Sequence, residues 1–256
     1  MPLVNEDIID YQVCADTKAN VVTCVTDWLH EDVRSCRVFA CLNPHSVVVA
    51  AEDPGFHNAL ISADILTPDG IGIVHASRLL GGNLSGRITG MDVFEGVMTA
   101  MDRAGGGRCF FLGSTEETLS AIRDQVAICF PSVQVCGTYS PPFKSEYTEA
   151  ENQAMVDAIN ASGADVLWVG LTAPKQEKWI ADHREKLDVK FAGAIGAVFD
   201  FFVGNVRRVS PFWGRLGFEW LPRLVQQPGR LWRRTFVSAP KFVIRTIRYR
   251  YRKSIL

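Results

Sequence analysis

The sequence lacks the features that define several large classes of protein. No apolar run reaches the roughly 20 residues that span a bilayer, and the acidic residues 1–10 show no signal-peptide pattern. The seven cysteines are odd in number and none forms a Cys-x-x-Cys pair, which counts against a disulfide framework. We therefore expect buried free thiols and a cytoplasmic protein.

Common nucleotide-binding and catalytic motifs are also missing. The chain has no P-loop, and Gly70-Ile71-Gly72 lacks the third glycine of a dinucleotide fingerprint. Gly-x-Ser-x-Gly and Asp-x-Asp do not occur, and no His, Cys and carboxylate residues stand at metal-ligand spacing. These absences count against a serine hydrolase and a nicotinamide-dependent oxidoreductase, and they leave no candidate metal ligands.

The charge of the chain is distributed very unevenly. The 256 residues are 47% hydrophobic and 21% charged, as in an ordinary soluble globular protein. From Gly204 onward there are 13 Lys or Arg and one acid, a net +12, whereas residues 1–203 hold 14 basic and 27 acidic residues, a net −13. This split predicts a basic tail with an anionic partner, which could be a nucleic acid, a phosphorylated ligand or a membrane surface.

Short apolar runs alternate with helical patterns between Val38 and Val203. Such alternation predicts βαβ units, and thus an α/β fold with a Rossmann-like parallel sheet and helices on both faces. We expect residues 1–204 to form this domain and 205–256 to form a basic, amphipathic helical appendage. The predicted strands are Val38–Leu42, Ile61–Leu66, Cys109–Leu112, Val133–Val135, Asp165–Gly170 and Phe191–Ile195. The predicted helices are Ile71–Leu80, Val93–Arg103, Glu149–Ala161 and Ala197–Val203. A further helix is predicted to begin at Ser114, because Ser114 and Glu117 have capping-box spacing, and another runs to Arg184 with Pro174 in its first turn. Val21–His30 could begin as a strand and continue as a helix.

Polar residues follow several of these strands. They are Asn43, Asp69, Arg87, Gln176 and Asp200. The carboxyl ends of parallel strands meet at one ligand-binding edge, where a carboxylate and cations suit group transfer from a nucleotide-activated donor. A phosphate could also bind where Gly113-Ser114-Thr115 opens a helix.

Each of these residues also has a purely structural interpretation. Asp69 could cap the helix that begins near Ile71, and Asn43 before a proline is typical of a turn. Gln176 and Arg87 could be solvated, and Asp200 could pair with a basic residue at 207 or 208. These alternatives stay open on local grounds.

An ordered series of motifs resembles the WecG/TagA/CpsF glycosyltransferase family from about Val21 to Arg234. In chain order the motifs are Asn43-Pro44, Thr67-Pro68-Asp69-Gly70-Ile71-Gly72, Arg87-Ile88-Thr89-Gly90-Met91-Asp92, Val169-Gly170-Leu171-Thr172-Ala173-Pro174-Lys175-Gln176-Glu177-Lys178-Trp179, Gly193-Ala194-Ile195-Gly196-Ala197-Val198-Phe199-Asp200-Phe201, Gly217-Phe218-Glu219-Trp220-Leu221-Pro222-Arg223-Leu224 and Gln227-Pro228-Gly229-Arg230-Leu231-Trp232-Arg233-Arg234.

The resemblance implies an inverting transfer of a sugar from a UDP-sugar to a polyprenyl-diphosphate-linked saccharide, without a metal or other cofactor, at the cytoplasmic membrane face. Asp69 would be the catalytic base. The substrate-binding residues would be Cys41, Asn43, Arg87 and Gln176, together with Arg215, Arg223 and Arg230 of an appendage that completes the site. The nucleotide would contact Gly113, Ser114, Gly170, Gly193, Gly196 and Asp200.

Some positions depart from the family pattern. Cys41 stands where a Thr is common, Thr172 replaces a usual Gly, and Val209-Ser210-Pro211 replaces an Ala-Pro pair. The loop Tyr139–Phe143 resembles members that act in exopolysaccharide or capsule synthesis, which is the pathway that we expect. The alternative is N-acetylmannosaminyl transfer in teichoic-acid linkage-unit or enterobacterial common antigen synthesis.

The basic tail predicts a partner surface. Its arginines and aromatic residues at helical spacing suit an anionic membrane interface, so we expect a peripheral protein on the inner face of the plasma membrane. A helix packed on the domain with a solvated basic face is the alternative; a nucleic-acid partner is not expected, since no binding motif accompanies the charge. An alternative of another class is a nucleotide-binding membrane adaptor that catalyses no reaction. The sequence does not determine whether the protein forms a homo-oligomer.

Overall fold

The computed structural model describes residues 2–205 and 232–253 of the chain, and a parallel sheet forms the centre of this part. The strands are β1 (Asn5–Ile8), β2 (Tyr11–Cys14), β3 (Arg37–Leu42), β4 (Ile65–Pro68), β5 (Gly107–Gly113), β6 (Val133–Tyr139), β7 (Val166–Gly170) and β8 (Phe191–Ala194). The helices are α1 (Lys18–His30), α2 (Pro44–Ala50), α3 (Pro54–Ile61), α4 (Ile71–Leu79), α5 (Gly90–Arg103), α6 (Glu116–Cys129), α7 (Glu149–Ser162), α8 (Lys175–His183), α9 (Val198–Phe202) and α10 (Ala239–Lys253), with a 3₁₀ turn at Arg184–Lys186 and a π-helical turn at Arg233–Ser238.

The central sheet has six strands in the order β4-β3-β8-β7-β5-β6, and every neighbouring pair is parallel. Strands β1 and β2 form a separate antiparallel hairpin. This topology confirms the predicted α/β fold. Because all six strands run in the same direction, their carboxyl ends lie along one edge of the sheet, which is where ligands bind in such folds.

Helices bury both faces of the sheet. Within β3, Val38 and Leu42 belong to one core layer, while Phe39 belongs to the other. Side chains from α2, α3, α4, α7 and α8 complete the first layer, and side chains from α1, α5, α6 and α9 complete the second. Burial on both sides explains why the strands read as continuous apolar runs and not as alternating ones.

Two element predictions at the N-terminal side are wrong. Residues 21–30 belong to a helix throughout, because α1 begins at Lys18 and the Thr17 side chain accepts the backbone N–H of Asn20. The strand predicted from Ile61 begins only at Ile65, and Ile61 ends α3. The cap of α3 is Asp53, followed by a proline in the first turn, which is a local helix start.

Two predicted helix starts also differ from the structure. Thr115, not Ser114, is the N-cap of α6, and its side chain accepts the backbone N–H of Thr118. Ser114 has a φ of +60°, whereas an N-cap needs an extended backbone such as that of Thr115. The predicted capping box from Ser114 is therefore wrong. Pro174 is the N-cap of α8 and precedes its first helical residue.

Helix α10 packs on the N-terminal part of the domain. It contacts α2 and α4, and Phe242 lies in the first core layer with 4% of its surface exposed. The Tyr249 hydroxyl donates to Asp7 Oδ2 at 2.8 Å, and Lys241 Nζ lies 3.2 Å from Glu52 Oε1. Among the helices of residues 2–205 and 232–253, none is long and apolar enough to cross a membrane.

Candidate active site

Asp69 lies where the carboxyl ends of β3 and β4 are joined. Its backbone N–H donates to the carbonyl oxygen of Leu42, the last residue of β3, at 2.8 Å. Helix α4 begins at Ile71, and its N-cap is Gly70, whose φ of +113° favours glycine. Asp69 is therefore not the N-cap residue of α4.

The turn after β3 packs tightly on the start of α4. A Cβ on Gly72 would lie 2.6 Å from Pro44 Cγ, so only glycine permits this approach. Asn43 is the N-cap of α2, and its Oδ1 accepts the N–H of Ser46 at 2.9 Å. The sequence analysis foresaw a turn at Asn43, whereas the structure shows the N-cap of a helix there. Contact of Asn43 with a substrate stays a prediction.

Cys41 lies near the end of β3, beside a buried threonine of the neighbouring strand. Its Sγ lies 3.5 Å from Oγ1 of Thr67, which is fully buried on the neighbouring strand. Burial raises the pKa of the Cys41 thiol well above its usual value, and the charges of Asp69 and Glu177 raise this pKa further. The thiol is therefore protonated at neutral pH and is no thiolate nucleophile.

Gln176 and Glu177 form a buried pair in the first turn of α8. Only 4% and 6% of their surfaces are exposed, so the interpretation of Gln176 as a solvated residue is wrong. Gln176 Nε2 donates to Glu177 Oε1 at 2.9 Å. Gln176 Oε1 and Glu177 Oε2 are also buried, and neither has a hydrogen-bond partner among the described residues. The sequence analysis did not single out Glu177, because acidic residues at helix starts are common and give no sign of burial.

Gly196, which follows β8, lies against the Gln176 amide. Its φ is +50°, and a Cβ at this position would lie 3.2 Å from Gln176 Oε1 and 3.4 Å from Nε2. The segment after β8 and the start of α8 therefore meet at the same edge as Asp69.

Replacing Gly196 by alanine tests whether this contact matters. We expect kcat/KM for the sugar transfer that the family resemblance implies to fall about tenfold, because the methyl group presses on the Gln176 amide. The free energy of unfolding should fall by about 1–2 kcal/mol, because φ is positive. Gly81→Ala is the matched control, since Gly81 has a φ of +86° and nothing within 4 Å of its Cβ position. Equal loss of activity in both variants would contradict a role for the Gly196–Gln176 contact.

Three other predicted glycines are packed closely within the sheet. A Cβ on Gly113 would lie 2.7 Å from the backbone of Gly170, and Gly170 itself is covered by the Phe199 ring. Gly193 lies inside β8 beneath Trp168, whose Cζ3 would be 2.5 Å from a Cβ. Packing alone thus accounts for these glycines, and their contacts with a nucleotide stay predictions, as do those of Ser114 and of the half-buried Asp200 on α9.

The loop before α5 brings Arg87 beside the end of β4. The next residue, Ile88, donates its N–H to the Pro68 carbonyl oxygen at 2.9 Å, and Arg87 is exposed. A capping box of Thr89 and Asp92, which the sequence analysis missed, fixes the start of α5. The predicted substrate-binding residues Arg215, Arg223 and Arg230 lie outside the described residues, as do the proposed partners of Asp200 at 207 and 208.

The edge therefore combines one candidate base with hydrogen-bonding groups and a cation. The residues brought together are Cys41, Asn43, Thr67, Asp69, Arg87, Gln176, Glu177 and Gly196. Within residues 2–205 and 232–253, no group of three or more His, Cys, Asp or Glu residues is placed to hold a metal ion. Independence from a metal stays a prediction.

Comparison with known proteins supplies the reaction class. A family model described as "Glycosyl transferase WecG/TagA/CpsF family" matches residues 6–255. The chain is 34% identical over 207 residues to an N-acetylglucosaminyldiphosphoundecaprenol N-acetyl-beta-D-mannosaminyltransferase of Bacillus spizizenii, which covers 81% of this chain and 77% of that protein. A protein of the same name from Bacillus subtilis strain 168 is 29% identical over 230 residues, covering 89% of this chain and 86% of the relative.

Proposed function

The chain belongs to the WecG/TagA/CpsF family of glycosyl transferases, and we propose that it transfers an N-acetylmannosaminyl group from a UDP-sugar to a polyprenyl-diphosphate-linked N-acetylglucosamine. The names of both relatives describe N-acetylmannosaminyl transfer to a diphosphoundecaprenol-linked N-acetylglucosamine. They favour the N-acetylmannosaminyltransferase alternative over the exopolysaccharide pathway, which depended on the resemblance of one loop. Family membership also favours an enzyme over an adaptor or an oxidoreductase.

The position of Asp69 carries the mechanistic part of the proposal. The acceptor hydroxyl attacks the anomeric carbon of the donor sugar, Asp69 takes the hydroxyl proton, and UDP departs as the glycosidic bond forms. A general base of this kind typically contributes about 10²- to 10⁴-fold to a rate. Attack opposite the leaving UDP inverts the configuration at the anomeric carbon.

Cations would stabilise the departing diphosphate. Arg87 lies beside the end of β4, and the resemblance adds Arg215, Arg223 and Arg230 from the appendage. Guanidinium groups bind phosphate oxygens in a bidentate manner, so we propose that they perform the charge stabilisation that a divalent metal supplies elsewhere. The absence of an Asp-x-Asp motif from the sequence supports this proposal.

A UDP-release assay tests the proposed reaction. UDP-N-acetylmannosamine with a short-chain polyprenyl-diphosphate-N-acetylglucosamine acceptor should release UDP, and the rate should persist in EDTA. UDP-glucose and UDP-N-acetylglucosamine are the control donors, and the acceptor-free reaction is the blank. Release with a control donor alone would contradict N-acetylmannosaminyl transfer, loss of activity in EDTA would contradict metal independence, and failure to bind any UDP-sugar would overturn the proposal.

We also propose that α10 places the enzyme on an anionic membrane surface. One side of the helix packs on the domain through Phe242 and Thr246, while the opposite side exposes a stripe of apolar residues. The exposed apolar residues of this stripe are Val243, Ile244, Ile247 and Tyr251. Arginines flank the stripe, which is the arrangement of helices that lie in the membrane interface. A lipid-linked acceptor requires an enzyme that works at this surface.

A further inference from the structure

The Gln176–Glu177 pair has more hydrogen-bonding capacity than the protein uses. We propose that Gln176 Oε1 and Glu177 Oε2 form an acceptor pair that binds hydroxyl groups of the donor nucleotide-sugar, and that Glu177 fixes the Gln176 amide in the orientation which this requires. The inference rests on the proposed function, because it assigns these atoms to the donor of that reaction.

The orientation of the Gln176 amide follows from its one hydrogen bond. A glutamine side chain has a donor end and an acceptor end. The donor Nε2 binds Glu177 Oε1 at 2.9 Å, so the carbonyl Oε1 is the end left for a ligand. This oxygen lies next to Gly196, where a Cβ would come within 3.2 Å of it.

Burial makes the two unpartnered oxygens informative. Buried side-chain polar atoms almost always have a hydrogen-bond partner, and a specific exception needs an explanation. Here two such atoms belong to adjacent residues that are more than nine-tenths buried. They lie at the carboxyl edge of the sheet, near Cys41, whose pKa is raised by the charges of both Asp69 and Glu177. Neighbouring acceptors require neighbouring donors, and hydroxyl groups of a sugar supply them.

The surroundings of Glu177 determine how its ionisation responds to a ligand. Burial raises its pKa to about 7, although the Gln176 amide and its own backbone N–H lower it. Cys41 on β3 responds to the charge of Glu177 and also to the charges of Asp69 after β4 and Asp92 on α5. The two lysines of α8 are engaged elsewhere, Lys175 with the Lys144 carbonyl at 2.7 Å and Lys178 with Asp53 of the α3 cap at 3.2 Å.

Ligand binding should therefore release a proton. A hydroxyl that donates to Glu177 Oε2 stabilises the ionised carboxylate, so the pKa of Glu177 falls when the ligand binds. From a starting value of about 7, we expect release of about half a proton per ligand at pH 7 and a Kd that tightens about tenfold from pH 6 to pH 8. A protonated Glu177 that donated to a phosphate would give the opposite sign.

Calorimetric titration in buffers of different ionisation enthalpy measures this release directly. Wild-type protein, Glu177→Gln and the exposed control Glu185→Gln are each titrated with UDP-N-acetylmannosamine and with UDP. We expect Glu177→Gln to bind without proton release and with a flat pH dependence, while Glu185→Gln behaves as wild type. The terminal phosphate of UDP itself titrates at about pH 6. For UDP, the proton release assigned to Glu177 is therefore the release measured with wild type minus the release measured with Glu177→Gln.

The outcomes distinguish the ribose from the transferred sugar as the source of the hydroxyl groups. They also distinguish failure of the acceptor pair from failure of the proposed function. A Glu177-dependent release with UDP assigns the ribose, and release with UDP-N-acetylmannosamine alone assigns the transferred sugar. Binding of the UDP-sugar to wild type without release, or with proton uptake, overturns the acceptor pair and leaves the proposed function standing. This wild-type measurement suffices even if Glu177→Gln does not fold. Absence of any UDP-sugar binding overturns both proposals.

Discussion

Asp69→Asn is expected to lower kcat for glycosyl transfer by about 10²- to 10⁴-fold, because asparagine has the same shape but cannot take the acceptor proton. The fold should persist, since asparagine keeps the shape of the side chain, the backbone hydrogen bond from residue 69 to Leu42 is unaffected, and Gly70 remains the N-cap of α4. The measurements are steady-state UDP release, the Kd of the UDP-sugar and the thermal unfolding midpoint. We expect the loss in kcat with little change in Kd.

Asp92→Asn is the matched control, because it removes another carboxylate charge from the same edge of the sheet. Asp92 Oδ2 accepts the Thr89 N–H at 2.9 Å in the capping box of α5. Loss of this charge should lower the free energy of unfolding by about 0.3–1 kcal/mol and leave kcat within about twofold. Near-normal turnover by Asp69→Asn would remove Asp69 as the base, and equal losses in both variants would point to general electrostatics of the edge.

The parallel sheet could be predicted because burial on both faces leaves a strong trace in the sequence. Runs such as Cys109–Leu112 and Val166–Val169 are apolar at every position, since alternate side chains enter different core layers. Turns rich in glycine and the intervening helical patterns then define βαβ units. The same logic placed Asp69 and Asn43 at the ends of strands, where the structure shows them.

The short elements could not be predicted in the same way. Helices α2 and α3 have seven and eight residues, too few for a hydrophobic period to stand out. Asn43 and Asp53 are each followed by proline, a pattern that starts a helix as readily as it makes a turn. The hairpin of β1 and β2 has four-residue strands. Its two-residue turn, Ile9-Asp10, has positive φ at both positions but lacks the glycine or asparagine that marks such turns in a sequence.

The buried acceptor pair depends on tertiary packing, which the local sequence does not encode. Gln176 and Glu177 read as an ordinary solvated helix start. They become buried because α8 packs on β3, β8 and α3, and the tight glycine at 196 lets the Gln176 amide approach the segment after β8. Lys175 adjoins the pair and donates to the carbonyl oxygen of Lys144, which ties the loop between β6 and α7 to α8. The sequence could show the corner at Asp69 but not the burial beside it.

The triple variant Arg248→Gln, Arg250→Gln and Arg252→Gln is expected to weaken binding to anionic vesicles about 100-fold. Each basic residue near such a surface contributes about 1 kcal/mol, and the three positions are exposed on α10. At about 100° per residue, Arg248 and Arg252 lie on one flank of the apolar stripe and Arg250 lies on the other. Cosedimentation with vesicles that contain phosphatidylglycerol measures the partition coefficient, and neutral vesicles give the baseline.

Substitution is a sharper test than deletion of α10, because deletion would also remove Phe242 from the core and the Tyr249 hydrogen bond to Asp7. The matched control changes three exposed basic residues elsewhere, Arg103, Arg123 and Lys186, to glutamine. This control alters the net charge equally but should retain most of the vesicle binding. Equal weakening in both variants would show that net charge attracts the protein and that α10 is not the contact surface. If α10 is that surface, the α10 variant should have a higher KM than wild type for a long-chain lipid acceptor and an unchanged KM for a soluble short-chain acceptor. Added salt should reduce the difference in vesicle binding between wild type and the α10 variant, because it screens the exposed charges.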